Sequence, residues 1–195
     1  MLDIPHPSQL SARHKSIMAA LTCEKMQVLY EAFCEVEEWG DPALYQEGIE
    51  ALYSFGLDNS TAAATQFLAT AQHLSPDLDD FATALASYAL DASSALTEAL
   101  LFVSKQQEHY FQNHLTAVTD CVDTFVQMYL NLNPNRRDLD QIIKADHYMQ
   151  QERQRRARLY KVLRNMPEIT PSAVATLKNI NGTEPIVGLD RLIGL

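Results

Sequence analysis

The chain is long enough for one domain with a hydrophobic core, and it is strongly acidic. It has 195 residues, of which 47% are hydrophobic, and its net charge is −10. The charge is uneven: residues 1–135 carry 4 basic and 18 acidic residues, a balance of −14, whereas residues 136–195 carry 11 basic and 7 acidic residues, a balance of +4. An acidic body repels phosphate, which argues against nucleic-acid binding.

Neither a membrane span nor a disulfide framework is expected. No apolar run approaches the ~20 residues that cross a bilayer, and the N-terminus lacks the basic start and apolar core of a signal peptide. We therefore expect a cytoplasmic protein without a membrane segment. Cys23 and Cys34 lie too far apart along one predicted helix to form a disulfide with each other. Together with Cys121, they are expected to be reduced and mostly buried.

Seven helical segments are predicted in chain order after a loose arm, residues 1–10, that contains two prolines. The second and the seventh segments each begin with an N-cap residue followed by a proline at the first helical position, Asp41-Pro42 and Thr170-Pro171. The approximate bounds of the segments are 11–37, 42–55, 61–73, 75–105 with its cap, 108–130, 138–165 and 171–179.

The pattern predicts an all-α protein. No segment alternates apolar and polar residues with the period of a β-strand, and the sequence contains no internal repeat. We therefore predict a single-domain bundle of six or seven helices over residues 1–195, with an irregular apolar C-terminal tail, residues 180–195.

The fourth predicted helix carries a carboxylate, Asp91, among small and apolar residues. A helix with small residues nearly all round is usually central in a bundle, so we expect Asp91 to be partly buried and to need a partner. Lys25 is the best candidate, because it falls on the apolar face of the first helix. Two alternatives stay open: Lys25 extends its head to solvent, or Asp91 bonds serine hydroxyls and a cap.

A functional interpretation of the same residues is an acidic cleft that binds a metal or a cationic ligand. Asp91 and Glu98 are seven residues apart and project from one side of their helix, and Glu24 belongs to an acidic stripe on the first helix. The polar network or cleft would consist of Glu24, Lys25, Asp91 and Glu98. The helices contain neither Glu-x-x-His nor His-Glu-x-x-His, and no nucleophile or phosphate-binding motif occurs, so we predict no catalytic residue, no metal site and no cofactor.

The sixth predicted helix is rich in arginine. The six basic side chains of residues 151–164 point in nearly every direction, which does not favour a nucleic-acid surface. Glu152 and Arg156 form an i, i+4 pair close to the apolar face of this helix. We expect this helix to complement the acidic body, either within the chain or across a subunit interface.

The apolar tail is expected either to dock on its own bundle or to form part of a dimer contact, because its side chains would be costly to leave in water. The candidate interface combines tail residues with two residues of the sixth helix: Arg156, Tyr160, Ile186, Leu189 and Leu192.

Several short motifs occur in an order and spacing that resemble a known family. They are MAALTCEKM at 18–26, Glu38-Trp39-Gly40-Asp41 followed by Tyr45, Asp79-Asp80-Phe81, and Asp-Ala-x-x-Ala-Leu-x-Glu from Asp91 to Glu98. The chain thus resembles the YjaG-like family of bacterial proteins, domain of unknown function 416, over most of its length. It departs from the family pattern by one extra residue in the first motif, by Lys25 in place of arginine, and by Val28-Leu29 in place of Pro-Asn. The resemblance implies a soluble helical domain, no assigned reaction, and a basic residue at 25 paired with the acid at 91.

The favoured interpretation is a non-enzymatic module for protein interaction or homo-oligomerisation, acting as a homodimer or with an unknown protein partner. The alternative is a ligand- or metal-binding protein, or an enzyme, that uses the acidic cleft. The alternative requires the carboxylates of Glu24, Asp91 and Glu98 to converge on an open pocket.

Overall fold

The computed structural model describes residues 9–192 and confirms the all-α fold. Two 3-10 helices, Ala71–His73 and Leu78–Asp80, lie between the third and fourth α-helices, and no strand occurs within residues 9–192. None of the described helices combines the length and the apolar character needed to cross a membrane. The α-helices are α1 (Ala12–Glu37), α2 (Pro42–Asp58), α3 (Ala62–Phe67), α4 (Leu85–Lys105), α5 (Glu108–Tyr129), α6 (Leu139–Ala145), α7 (His147–Arg164), α8 (Pro171–Asn181) and α9 (Leu189–Leu192).

The predicted caps of α2 and α8 form as expected. The Asp41 side chain accepts a hydrogen bond of 2.9 Å from the backbone N–H of Leu44. The Thr170 hydroxyl accepts one of 3.2 Å from the N–H of Ala173. Each bond satisfies a backbone donor that has no partner inside the helix, and the following proline has no N–H to satisfy.

The single helix predicted over residues 138–165 is instead two helices, α6 and α7. Asp146 adopts an extended conformation (φ −65°, ψ 148°). Its side chain accepts a hydrogen bond of 2.8 Å from the N–H of Tyr148 and so caps α7. An aspartate can stabilise a helix start by this local bond as readily as it can continue a helix, and here the cap prevails.

The fourth predicted helix begins later than expected, at Leu85. Asp77 caps only the short 3-10 helix that follows it, and Phe81 is extended (φ −128°, ψ 132°). The ring of Phe81 packs edge-on against Phe33 and Trp39, with ring centroids 5.0 and 5.6 Å apart. Phe81 thus joins an aromatic cluster with α1 and the turn after it, and it is extended where the local pattern favoured a helix.

Helices α1 and α4 lie at the centre of the bundle, with α2 against α1 and α5 against α4. Close packing depends on glycine at two points of α2. A Cβ at Gly48 would lie 2.8 Å from Leu96 and 2.9 Å from Phe67, and a Cβ at Gly56 would overlap the side chain of Ile17. The core therefore extends from α2 through α1 and α4 to α5.

Both ends of the described chain pack on the bundle. Leu10 is buried, and the Gln9 side chain accepts a hydrogen bond of 3.1 Å from the Tyr160 hydroxyl, although the loose arm was predicted to extend to residue 10. The rest of that arm, residues 1–8, lies outside the described residues. In the tail, Ile186 and Leu192 are buried, so the described part of the tail docks on its own bundle. Residues 193–195 also lie outside the described residues.

Candidate functional site

The ion pair expected between Lys25 and Asp91 does not form, and that expectation is wrong. Lys25 is buried, as its place on the apolar face of α1 indicated, but its Nζ donates to the backbone carbonyl of Glu184, 2.5 Å away. No hydrogen bond or ion pair of the described residues involves the side chain of Asp91. Lys25 therefore reaches toward the tail, whereas Asp91 lies where α4 meets α5.

The other two predicted cleft residues are also apart from Asp91. Glu24 forms an ion pair of 2.6 Å with Lys178 of α8. Glu98 accepts a hydrogen bond of 3.0 Å from the side-chain amide of Asn113 on α5. Among residues 9–192, no group of three or more His, Cys, Asp or Glu side chains is arranged to hold a metal ion.

Asp91 is half-buried and has an unusual protonation equilibrium. Burial, and secondarily the charge of Asp120, raises the pKa of Asp91 to about 7. Burial and the neighbouring Asp123 also raise the pKa of Asp120. The Asp91 carboxyl thus titrates near neutral pH without a cation to stabilise its ionised form.

Glu152 and Arg155 form a buried ion pair that the sequence did not identify. Arg155 donates to both carboxylate oxygens of Glu152, from Nε at 2.6 Å and from Nη2 at 2.8 Å. Arg156 adds two longer hydrogen bonds, 3.2 and 3.3 Å, to the same carboxylate. Burial by itself would raise the pKa of Glu152, but the two guanidinium groups lower it below its ordinary value. Glu152 is therefore a buried, ionised and fully paired carboxylate.

The remaining donors of Arg155 connect α7 to α1 and α8. Its Nη1 donates to the side-chain oxygen of Asn181 at 3.0 Å, and its Nη2 to the hydroxyl of Thr22 at 3.2 Å. Asn181 in turn donates to the backbone carbonyl of Leu21 at 2.8 Å. The i, i+4 pair of Glu152 and Arg156 was visible in the sequence, but these long-range partners have no local signal.

His114 is a core histidine. It is fully buried, and its Nδ1 lies 2.8 Å from the carbonyl oxygen of Ala95. Burial lowers the pKa of His114 to about 4, so the ring is neutral at physiological pH. Its Nε2 has no hydrogen-bond partner among the described residues.

The five candidate interface residues face the interior of their own chain more than solvent. Tyr160, Ile186 and Leu192 are buried, Leu189 is half-buried, and the side chain of Arg156 is 13% exposed and bonded to Glu152. An interface built from them would require the tail to leave the bundle.

Two of the concave features in the described chain are candidate sites. The first, here called the α7–α8 cavity, has a volume of about 450 Å³ and lies between α1, α7, α8 and residues 182–186. The second, the α2–α3 groove, has a volume of about 470 Å³. Its floor and walls include Leu44, Ala51 and Phe67, and Glu47 and Glu50 of α2 lie along it.

The α2–α3 groove lies in a part of the chain that has no basic residue. Residues 26–104 contain no lysine or arginine and thirteen acidic residues. None of the thirteen takes part in an ion pair within the described chain. They are Glu31, Glu35, Glu37, Glu38, Asp41, Glu47, Glu50, Asp58, Asp77, Asp79, Asp80, Asp91 and Glu98.

The family comparison agrees with the resemblance seen in the motifs. The model of a family described as a protein of unknown function, DUF416, matches residues 7–186. The chain belongs to this family. A crystal structure of a DUF416 family protein from Shewanella baltica OS155 is similar in fold, with a TM-score of 0.82 and 23% sequence identity over 92% of this chain and 93% of that chain. No curated protein matches the chain.

Proposed function

We propose that this DUF416 protein is a non-enzymatic, cytoplasmic binding module, and that its α2–α3 groove receives a basic, amphipathic segment of a protein partner. One observation carries the proposal: the groove lies in a stretch of 79 residues, 26–104, whose thirteen carboxylates have no cationic partner in the described chain. A partner with lysine or arginine side chains would supply the missing counter-charges.

The lining of the groove supports an amphipathic occupant. Leu44, Glu47, Ala51 and Ser54 follow one another at helical spacing on α2, so they present one continuous face. On the opposite side of the groove, α3 contributes Phe67, whose side chain is largely buried. A helix that places apolar residues between these walls and basic residues beside Glu47 would use the common mode of helix-in-groove recognition.

A second copy of the chain is the less favoured occupant. Each copy has a net charge of −10, so two copies repel one another, and the groove of one copy would have to meet exposed basic residues of the other, such as those of α7 or Arg137. A contact between the groove of one copy and α7 of another closes into a dimer only where both copies make it reciprocally about a two-fold axis; without that symmetry it produces rings or filaments. We propose no nucleic-acid partner, since the phosphate backbone meets the same repulsion.

The acidic-cleft alternative has less support. Glu24, Asp91 and Glu98 have separate surroundings, and two of them already have a partner, Lys178 and Asn113. A catalytic or metal-binding cleft would need these carboxylates to converge.

Titration with a labelled peptide tests the proposed groove. The probe is a synthetic peptide with leucine and lysine at helical spacing, and the control peptide has glutamate in place of each lysine. We expect the lysine peptide to bind, and its affinity to fall as salt is added. The glutamate peptide should not bind. Equal binding of the two peptides, or none by the lysine peptide, would overturn the proposal.

Two matched variants locate the binding surface. Ala63 and Ala62 are adjacent, exposed residues of α3, but only Ala63 lines the groove. Ala63→Arg should lower the affinity for the lysine peptide by about tenfold, because it adds bulk inside the groove and a positive charge that repels the peptide. Ala62→Arg should change this affinity by about twofold or less. Equal effects would indicate diffuse attraction without a groove. Sedimentation of the wild type tests the second copy: self-association that Ala63→Arg abolishes would make a second copy the occupant.

A further inference from the structure

The α7–α8 cavity contains a buried ammonium group without a carboxylate partner. Lys25 lines the cavity, and only 5% of the residue is exposed. An ammonium group has three N–H donors. The described chain supplies one acceptor to Lys25, the carbonyl oxygen of Glu184 at 2.5 Å. A buried charge is ordinarily paired with an opposite charge, and Lys25 is not.

The charged neighbours of Lys25 do not replace that missing partner. Burial and the nearby guanidinium of Arg155 lower the pKa of Lys25, and the carboxylates of Glu184, Glu152 and Glu24 offset this only in part. Glu152 is already bonded to two arginines and Glu24 to Lys178, whereas the carboxylate of Glu184, which also lines the cavity, forms no ion pair with Lys25. The environment of Lys25 therefore favours the arrival of a negative charge.

Two arginines also line the cavity, and they differ in whether their donors already have partners. Arg155 uses its donors on Glu152, Asn181 and Thr22, so it holds the cavity wall in place. Arg158 lines the cavity one turn further along α7, is exposed, and forms no ion pair in the described chain. Two cations, Lys25 inside and Arg158 at the rim, are thus available to a ligand.

A glycine lies beside the inner cation. Gly182 has φ +73°, a conformation that residues with a side chain rarely adopt, and a Cβ at this position would lie 3.8 Å from Lys25 Nζ. Glycine is therefore favoured by the backbone conformation of the turn that lies beside the ammonium group.

We propose that the α7–α8 cavity binds a small molecule through an oxyanion group, a carboxylate or a phosphate, with Lys25 as the inner contact and Arg158 as the outer one. The volume of about 450 Å³ is within the range of small-molecule pockets and suits a compact metabolite. This site is separate from the α2–α3 groove, so either proposal can fail without the other.

Isothermal titration calorimetry of the full chain tests the cavity, with inorganic phosphate and succinate as separate probes. We expect one of the two to bind and to raise the melting temperature of the wild type. Lys25→Met, which removes the charge and keeps most of the volume, should weaken that binding by about tenfold or more, as expected for the loss of one charge-assisted hydrogen bond. The matched control is Lys161→Met, because Lys161 is an exposed residue of α7 outside the cavity; it should leave the affinity within about twofold.

A second pair of variants keeps the test decisive if Lys25→Met does not fold. Arg158→Gln should lower the affinity for the probe that binds. Arg164→Gln should not, because Arg164 is an exposed residue of α7 that does not line the cavity. Absence of binding by both probes at millimolar concentration would overturn the proposal, and so would equal affinities in Arg158→Gln and Arg164→Gln. Preference for phosphate or for succinate would identify which oxyanion the cavity takes.

Discussion

Asp91 is half-buried on α4, and burial together with the charge of Asp120 raises its pKa to about 7 from an ordinary value of 3.8. The folded protein therefore binds this proton more tightly than the unfolded chain does. It follows that the contribution of Asp91 to stability is complete below pH 3.8 and is lost as the pH rises to about 7. Replacing Asp91 by asparagine keeps the size of the side chain and removes this dependence.

The size of the effect follows from the shift in pKa. A difference of about three pKa units corresponds to ~4 kcal/mol at full burial. Because the side chain is partly exposed, solvent screening reduces this value, and we expect about 1–2 kcal/mol. For a chain of this length each kcal/mol changes the melting temperature by about 2–4 °C. Asp91→Asn should therefore melt about 2–8 °C above the wild type at about pH 8 and close to it at about pH 4.

Differential scanning calorimetry at fixed ionic strength and protein concentration measures this difference at both pH values. Asp80→Asn is the matched control, because Asp80 is an exposed acid of the 3-10 helix Leu78–Asp80 without an ion pair, and its melting temperature should follow that of the wild type. A lower melting temperature of Asp91→Asn at about pH 8 would refute the reasoning, since it would mean that the ionised carboxylate has a stabilising partner.

Three further predictions concern buried or half-buried groups. Arg155→Met should lower the free energy of unfolding, measured by urea denaturation, by about 3 kcal/mol, because Glu152 loses its principal counter-charge. Arg158→Met, at an exposed position, should lower it by less than about 0.5 kcal/mol. Equal urea midpoints of the two variants would contradict this prediction. The imidazole of His114 should titrate by NMR with a pKa of about 4, so that its contribution to stability is lost as the pH falls from 6.5 to 4, and a midpoint at 6.5 would count against its burial. Burial raises the pKa of Cys34 to about 11, so thiol reagents should modify this residue slowly in the native protein. They should still modify it before the two fully buried cysteines. Labelling of Cys34→Ser at the same rate would contradict this order.

Much of the secondary structure could be predicted because the signals act over a few residues. Asp41 and Thr170 cap helices through bonds that span three residues, so each can be recognised without knowledge of the fold. The break at Asp146 is also local, but the same residue type is compatible with a helix interior, and the pattern around it favoured one long helix. The extended conformation of Phe81 has no local cause, since its aromatic partners are more than 40 residues away in α1 and the turn after it.

The sequence determined which faces of the helices are buried, and the tertiary structure determined what each buried group meets. Helical spacing placed Lys25 inside and Asp91 partly inside, and both placements agree with the structure. It could not pair them correctly, because a helical period gives the direction of a side chain around its own axis and not the neighbour on that side. The neighbour depends on how α7, α8 and the tail pack against α1. That packing brings Glu184 to Lys25 and Arg155 to Glu152, and it leaves Asp91 beside Asp120.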